Sequence, residues 1–147
     1  MVIRRGYRII ATMYRVTREI EFCYGHRLLN YDGKCKHLHG HNGRAVIALE
    51  APSLDERGML VDFGEIKRKV QHWIDENLDH TMLLCRDDPI LPLLEERGER
   101  VFVMDQNPTA ENIARLIFER AAAEGLPVTE VTLWETPNCH AAYTSRA

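Results

Sequence analysis

The stretch HLHGHNGRAVIALE, residues 37 to 50, decides how the surrounding chain must fold. Taken at a period of two, His37, His39, His41, Gly43, Ala45, Ile47 and Leu49 share one side, with Arg44 and Glu50 on the other. Such alternation marks a half-buried β-strand, because successive side chains point to opposite faces. A face that opens with imidazoles and continues with aliphatic residues runs from a polar site into a core.

Upstream, Val16, Ile20, Phe22, Tyr24 and His26 alternate in the same way from Tyr14 onward, so a first strand also carries a histidine at the end of its inward face. The intervening LLNYDGKCK supplies turn chemistry through Asn30, Asp32 and Gly33, which predicts an antiparallel pair. Downstream, MLVDFGEIKRKVQHWIDENLDH places Phe63, Ile66, Val70, Trp73, Ile74 and Leu78 at helical spacing behind Asp62 as N-cap. That helix delivers Asp79 and His80 at its C-terminal end. Between Leu83 and Asn107 the pattern weakens around Pro89 and Pro92, with room for a short strand at Val101–Met104. A second helix spans Ala110 to Glu124, capped by Thr109 and stopped by Gly125 and Pro127. Val128–Thr136 and Ala141–Thr144 read as closing strands around the turn PNCH. The expected fold is α+β, a ββααββ order giving an antiparallel four-stranded sheet with two helices.

The chain has 147 residues, enough for one domain with its own core, placed at 14–147 behind a flexible basic leader over 1–13. Met13, just before the pattern starts, is an expected native start. Hydrophobic residues at 45% and charged residues at 28% fit a globular protein. A net charge of -3 offers no basic field for nucleic acid. The apolar run Ile9, Ile10, Ala11 is too short for a signal segment or a membrane span. Cys23, Cys35, Cys85 and Cys139 contain no CxxC pair, so reduced thiols and a cytoplasmic location are expected.

On one strand, His39 and His41 project from the same face and can reach one ion. With His26 from the paired strand they form a three-nitrogen set, the donor type of a catalytic zinc site whose fourth position stays open. The plainer alternative is a row of exposed histidines with one buried in the core. His37 shares the parity and is either a fourth ligand or a solvent-facing turn residue; a turn ending after it favours the latter. Cys35 lies between Lys34 and Lys36, and positive neighbours suit a thiol acting as base or nucleophile. A fourth zinc ligand is its other possible role.

The ordered motifs FCYGHRL (22–28), CKHLHGH (35–41), LVDFGEIK (60–67), LDH (78–80), NPTAENIA (107–114) and WETPN (134–138) together resemble the 6-pyruvoyl-tetrahydropterin synthase family. The CxxxHGH spacing is similar to its bacterial 6-carboxy-tetrahydropterin synthase branch, which serves queuosine precursor synthesis. The resemblance covers about residues 14 to 144. It implies His26, His39 and His41 as ligands of one zinc ion per subunit, Cys35 as catalytic base, and Asp79 with His80 as the remaining catalytic pair. It further implies that Glu135 grips the amino-pyrimidine edge of a pterin; on its own, Glu135 reads as a strand-end surface charge. Thr109 is a further candidate for substrate contact, and Lys36 and Arg27 are candidates for a triphosphate.

The implied substrate is 7,8-dihydroneopterin triphosphate, and the implied products are 6-carboxy-5,6,7,8-tetrahydropterin, acetaldehyde and triphosphate. The implied assembly is a homohexamer, a dimer of trimers that joins the sheets into the barrel of a tunnelling fold, with sites at subunit interfaces. A pyruvoyl-type synthase, another pterin side-chain lyase, or a non-catalytic metal- or pterin-binding module are the competing functions. Two departures stand out: the longer segment 85–106 and the extra imidazole of His37.

Overall fold

The computed structural model describes residues 12–145, so residues 1–11 of the expected leader lie outside it. The predicted antiparallel pair forms β1 (Tyr14–His26) and β2 (His39–Ala51). They stay in register from Tyr14 opposite Ala51 to His26 opposite His39. The turn between them contains one 3₁₀ turn, Lys34–Lys36. His37 follows that turn and precedes β2, so it drops out of the alternation.

The first predicted helix is present as three continuous segments: α1 (Phe63–Ile66), a π-helical turn (Lys67–Gln71) and α2 (His72–Asn77). Its start is fixed by the Asp62 carboxylate, which accepts from the Gly64 N–H at 2.8 Å. Then come β3 (Thr81–Cys85), the short helix α3 (Leu91–Glu96) and β4 (Val101–Met104). The chain ends with α4 (Ala110–Ala123), β5 (Val128–Thr136) and β6 (Cys139–Thr144). The Thr109 hydroxyl caps α4 by accepting from the Asn112 N–H at 3.3 Å.

The expectation of four antiparallel strands needs correction. The sheet has six strands in the order β4-β3-β1-β2-β5-β6, and it is mixed, since β3 lies parallel to both β1 and β4. The physical reason lies in TMLLC, residues 81–85. Thr81, Leu83, Leu84 and Cys85 are all buried, so the segment lacks the alternation of a one-sided strand. Pro92, read as a breaker, instead stands in the first turn of α3, where a missing N–H costs nothing.

One face of this sheet carries the core. Ile20, Phe22, Ala45, Ile47 and Leu49 meet Ile66, Val70, Ile74 and Leu78 of the first helix and Ile113, Ile117 and Ala121 of α4. On the other face Arg15, Glu19, Glu21 and Cys23 of β1 are exposed. No helix among the described residues is long and apolar enough to cross a membrane. The inner faces of β1 and β2 thus lead from the core to the three histidines.

Candidate metal centre

Cross-strand register builds the centre. His26 stands directly opposite His39, and His41 stands opposite Tyr24 one step along the same face. Directly opposed residues have Cβ atoms about 4.5–5.5 Å apart, so three imidazoles two positions apart on paired strands must crowd together. Their ring centroids are separated by 4.5 Å (His26 to His39), 5.1 Å (His26 to His41) and 5.1 Å (His39 to His41). One donor nitrogen from each lies within 4.8 Å of the others. Gly40, between the two β2 histidines, permits this close pairing, since a Cβ there would come within 3.0 Å of the Tyr24 carbonyl oxygen.

Hydrogen bonds select which nitrogen faces the cluster. His26 Nδ1 lies 2.7 Å from the Pro108 carbonyl, and His39 Nδ1 lies 2.7 Å from the His37 carbonyl. A carbonyl only accepts, so both rings carry their proton on Nδ1 and keep a lone pair on Nε2. Both Nε2 atoms are buried and have no hydrogen-bond partner among the described residues. Buried polar atoms without partners are uncommon and call for an ion or a water. Burial, reinforced by the other two imidazoles, holds His26 below its usual pKa against the opposing pull of Pro108 and Glu135. A neutral imidazole with its second nitrogen anchored to a carbonyl is the form that ligates metals. The donor set fits zinc.

Cys35 sits in the 3₁₀ turn, whose position is fixed by the Leu28 N–H donating to the Cys35 carbonyl at 2.8 Å. It lines a cavity of about 350 Å³ together with His26, Thr109 and Glu135. The cluster of mutually close donor atoms comprises the three histidines without Cys35. Glu135, on β5, lies on the same side as the cluster: its Oε1 is 3.8 Å from His26 Nε2 and accepts from the Tyr24 hydroxyl at 3.0 Å.

Asp79 and His80 follow α2 and stand against β1. Asp79 accepts from the Cys23 N–H at 2.8 Å, and the His80 N–H donates to the Cys23 carbonyl at 2.6 Å, so the pair pins the end of α2 to β1. His80 Nδ1 is 2.7 Å from Asp79 Oδ2. Burial pulls the Asp79 carboxyl upward, but the Cys23 N–H and His80 outweigh it and hold it below its ordinary range. His80 takes a left-handed backbone, φ 52°, a sparsely populated state for a non-glycine residue that Asn30 in the β1–β2 turn shares. Its side chain is 74% exposed. It borders a groove lined by Cys23, Gly25, Gly40 and Asn42 that also reaches His39 and His41 of the cluster. Within one chain, Cys35 and His80 therefore line different cavities.

Arg27 is already engaged. It clasps the buried Asp88 through two hydrogen bonds, one from Nε at 2.7 Å and one from Nη2. Lys36 is half exposed, 3.8 Å from Asp32. Three contacts escaped the sequence: Tyr24 to Glu135 and Pro108 to His26 at the site, and Asp88 to Arg27 beside it. Only the last left a signal there, the acids Asp87 and Asp88 between Cys85 and Pro89 in an otherwise weak segment.

Residues 15–146 match the family model described as 6-pyruvoyl tetrahydropterin synthase. A 6-carboxy-5,6,7,8-tetrahydropterin synthase from Rickettsia conorii is 42% identical over 134 residues, covering 86% of this chain and 97% of its own. One of the same name from Haemophilus influenzae is 32% identical over 139 residues, covering 89% and 99%. Among solved structures, an uncharacterised protein from Wolinella succinogenes superposes with a TM-score of 0.77 at 27% identity, covering 92% of this chain and 99% of that one. A 6-pyruvoyl tetrahydropterin synthase from Plasmodium vivax gives 0.72 at 20% identity over 92% and 99%, a likeness of fold alone.

Proposed function

Because the chain belongs to the 6-pyruvoyl tetrahydropterin synthase family, we propose that it is a zinc-dependent 6-carboxy-5,6,7,8-tetrahydropterin synthase. It converts 7,8-dihydroneopterin triphosphate to the carboxy product, acetaldehyde and triphosphate, within queuosine precursor synthesis. The observation that carries this is the convergence of His26, His39 and His41 with two buried, unpartnered Nε2 atoms. The carboxy rather than pyruvoyl outcome is supported by the CxxxHGH spacing and by the names of the relatives that are 42% and 32% identical.

Zinc held by the three imidazoles supplies Lewis acidity toward the hydroxyl and carbonyl oxygens of the substrate side chain. The chain's own groups do the rest. Cys35, in the cavity it shares with His26 and Glu135, takes the proton bound to side-chain carbon. Glu135 accepts from the amino-pyrimidine N–H groups and fixes the ring, so that binding becomes positioning. Thr109 lines the same cavity beside them. His80, oriented by the Asp79 carboxylate, returns and relays protons. The reading places the complete site between neighbouring subunits, which is supported by Cys35 and His80 lining different cavities of one chain. Lys36, free of any buried commitment, is the phosphate contact favoured over Arg27, whose charge Asp88 already meets.

Product analysis tests this proposal. Incubation with 7,8-dihydroneopterin triphosphate yields acetaldehyde and the carboxy pterin. A product that retains the three-carbon side chain would make the protein a pyruvoyl-type synthase, and no turnover by zinc-loaded protein would make it a binding module.

A further inference from the structure

Tyr24 is buried, 3% exposed, yet carries a polar atom into the site. Its ring is closely seated. It packs 5.4 Å from the Phe22 ring and 5.7 Å from that of His41, in space that Gly43 leaves open: a Cβ on Gly43 would come within 2.8 Å of Tyr24 Cε1. The hydroxyl donates to Oε1 of Glu135 at 3.0 Å. That same oxygen stands 3.8 Å from His26 Nε2, the lone-pair nitrogen of the cluster. Ligand bonds to zinc are about 2.0–2.2 Å, so a carboxylate oxygen this near a ligand nitrogen is a short side-chain swing from the coordination shell. Carboxylates bind zinc well. Left unrestrained, Glu135 would compete for the position that substrate needs and would no longer be free for the pterin.

We infer that Tyr24 is a positioning residue that tethers Oε1 of Glu135 outside the metal's shell, leaving Oε2 for the pterin. This rests on the zinc and pterin assignment proposed above. The tether acts through a single hydroxyl, so a phenyl ring of the same shape removes it while keeping the packing.

The test compares wild type, Tyr24→Phe, Glu135→Gln and the double variant, each loaded with cobalt(II) in place of zinc, by visible absorption, and each loaded with zinc, by steady-state kinetics. Tyr24→Phe is expected to raise KM on the order of ten-fold, the scale of one hydrogen bond to a charged group, with a smaller change in kcat. Its cobalt bands weaken as a carboxylate joins the shell. Glu135→Gln keeps wild-type cobalt bands while losing substrate affinity, and the double variant matches Glu135→Gln. A Tyr24→Phe protein with wild-type bands and wild-type KM overturns the tether and leaves the zinc assignment standing. Altered bands in Glu135→Gln alone, whatever Tyr24→Phe does, show Glu135 already ligated and overturn it too. Wild type that takes up no cobalt removes the underlying assignment itself.

Discussion

His26 and His39 face each other across two strands with their Nδ1 atoms held by carbonyls, so replacing either one deletes a donor nitrogen and leaves the ladder intact. His26→Ala, His39→Ala and His41→Ala are therefore expected to melt within a few degrees of the parent while losing metal and turnover. A structural zinc would behave otherwise, because folding would then depend on the ion; collapse of all three variants in thermal melts contradicts a catalytic centre. Cys35→Ala is expected to lower kcat by roughly 10²–10⁴-fold, the range for loss of a general base, and unchanged turnover would remove Cys35 from the chemistry. Parity made the imidazoles legible, because two-residue spacing on paired strands dictates a shared face whatever the surroundings. The contact between Tyr24 and Glu135 was not legible. It depends on the register of β5 against β2, which aligns Trp134 with Arg44, and no local pattern encodes that offset.

At the scale of elements, the ion pair between Arg27 and Asp88 ties the end of β1 to the loop before α3. Asp88 has no exposed side-chain surface, and the Arg27 guanidinium, outweighing burial, holds its carboxyl below the ordinary carboxylate range. Removing the acid leaves a largely enclosed guanidinium without a partner, so Asp88→Ala should cost about 3 kcal/mol in denaturant unfolding; a loss below about 0.5 kcal/mol would deny the pair its structural role. The folded carboxyl is the stronger acid, so the unfolded chain binds the proton first as pH falls. This contribution is fully present above about pH 4 and is lost as pH drops through the folded value. Asp88→Asn should accordingly show a shallower acid-unfolding profile than the parent, and superimposable slopes would contradict the linkage. The helices and the first two strands were readable because amphipathic periods and the caps Asp62 and Thr109 mark them. Strand β3 was hidden because its residues are buried without alternation, and its neighbour β4 is only four residues long.

Among the described residues, the sheet has an exposed polar face along β1 and ends in two edge strands, β4 and β6. Edges of this kind invite pairing with another chain, and the proposed closure of trimers into a barrel and their stacking into a hexamer would use them. Light scattering coupled to size exclusion should give six chains, and a stable monomer with full activity would contradict shared sites. The separation of Cys35 from His80 yields a sharper test. Mixing and reassembling inactive Cys35→Ala and His80→Ala proteins should restore partial turnover by forming some intact interfaces, whereas no recovery implies that each site lies within one chain. Both tests presuppose the same centre. The most direct measurement of it is the zinc content of wild type and Cys35→Ala by mass spectrometry of the metal. Three imidazoles with an open position predict one zinc per chain in both proteins; loss of zinc on removing the Cys35 sulfur would mean that the open position does not exist.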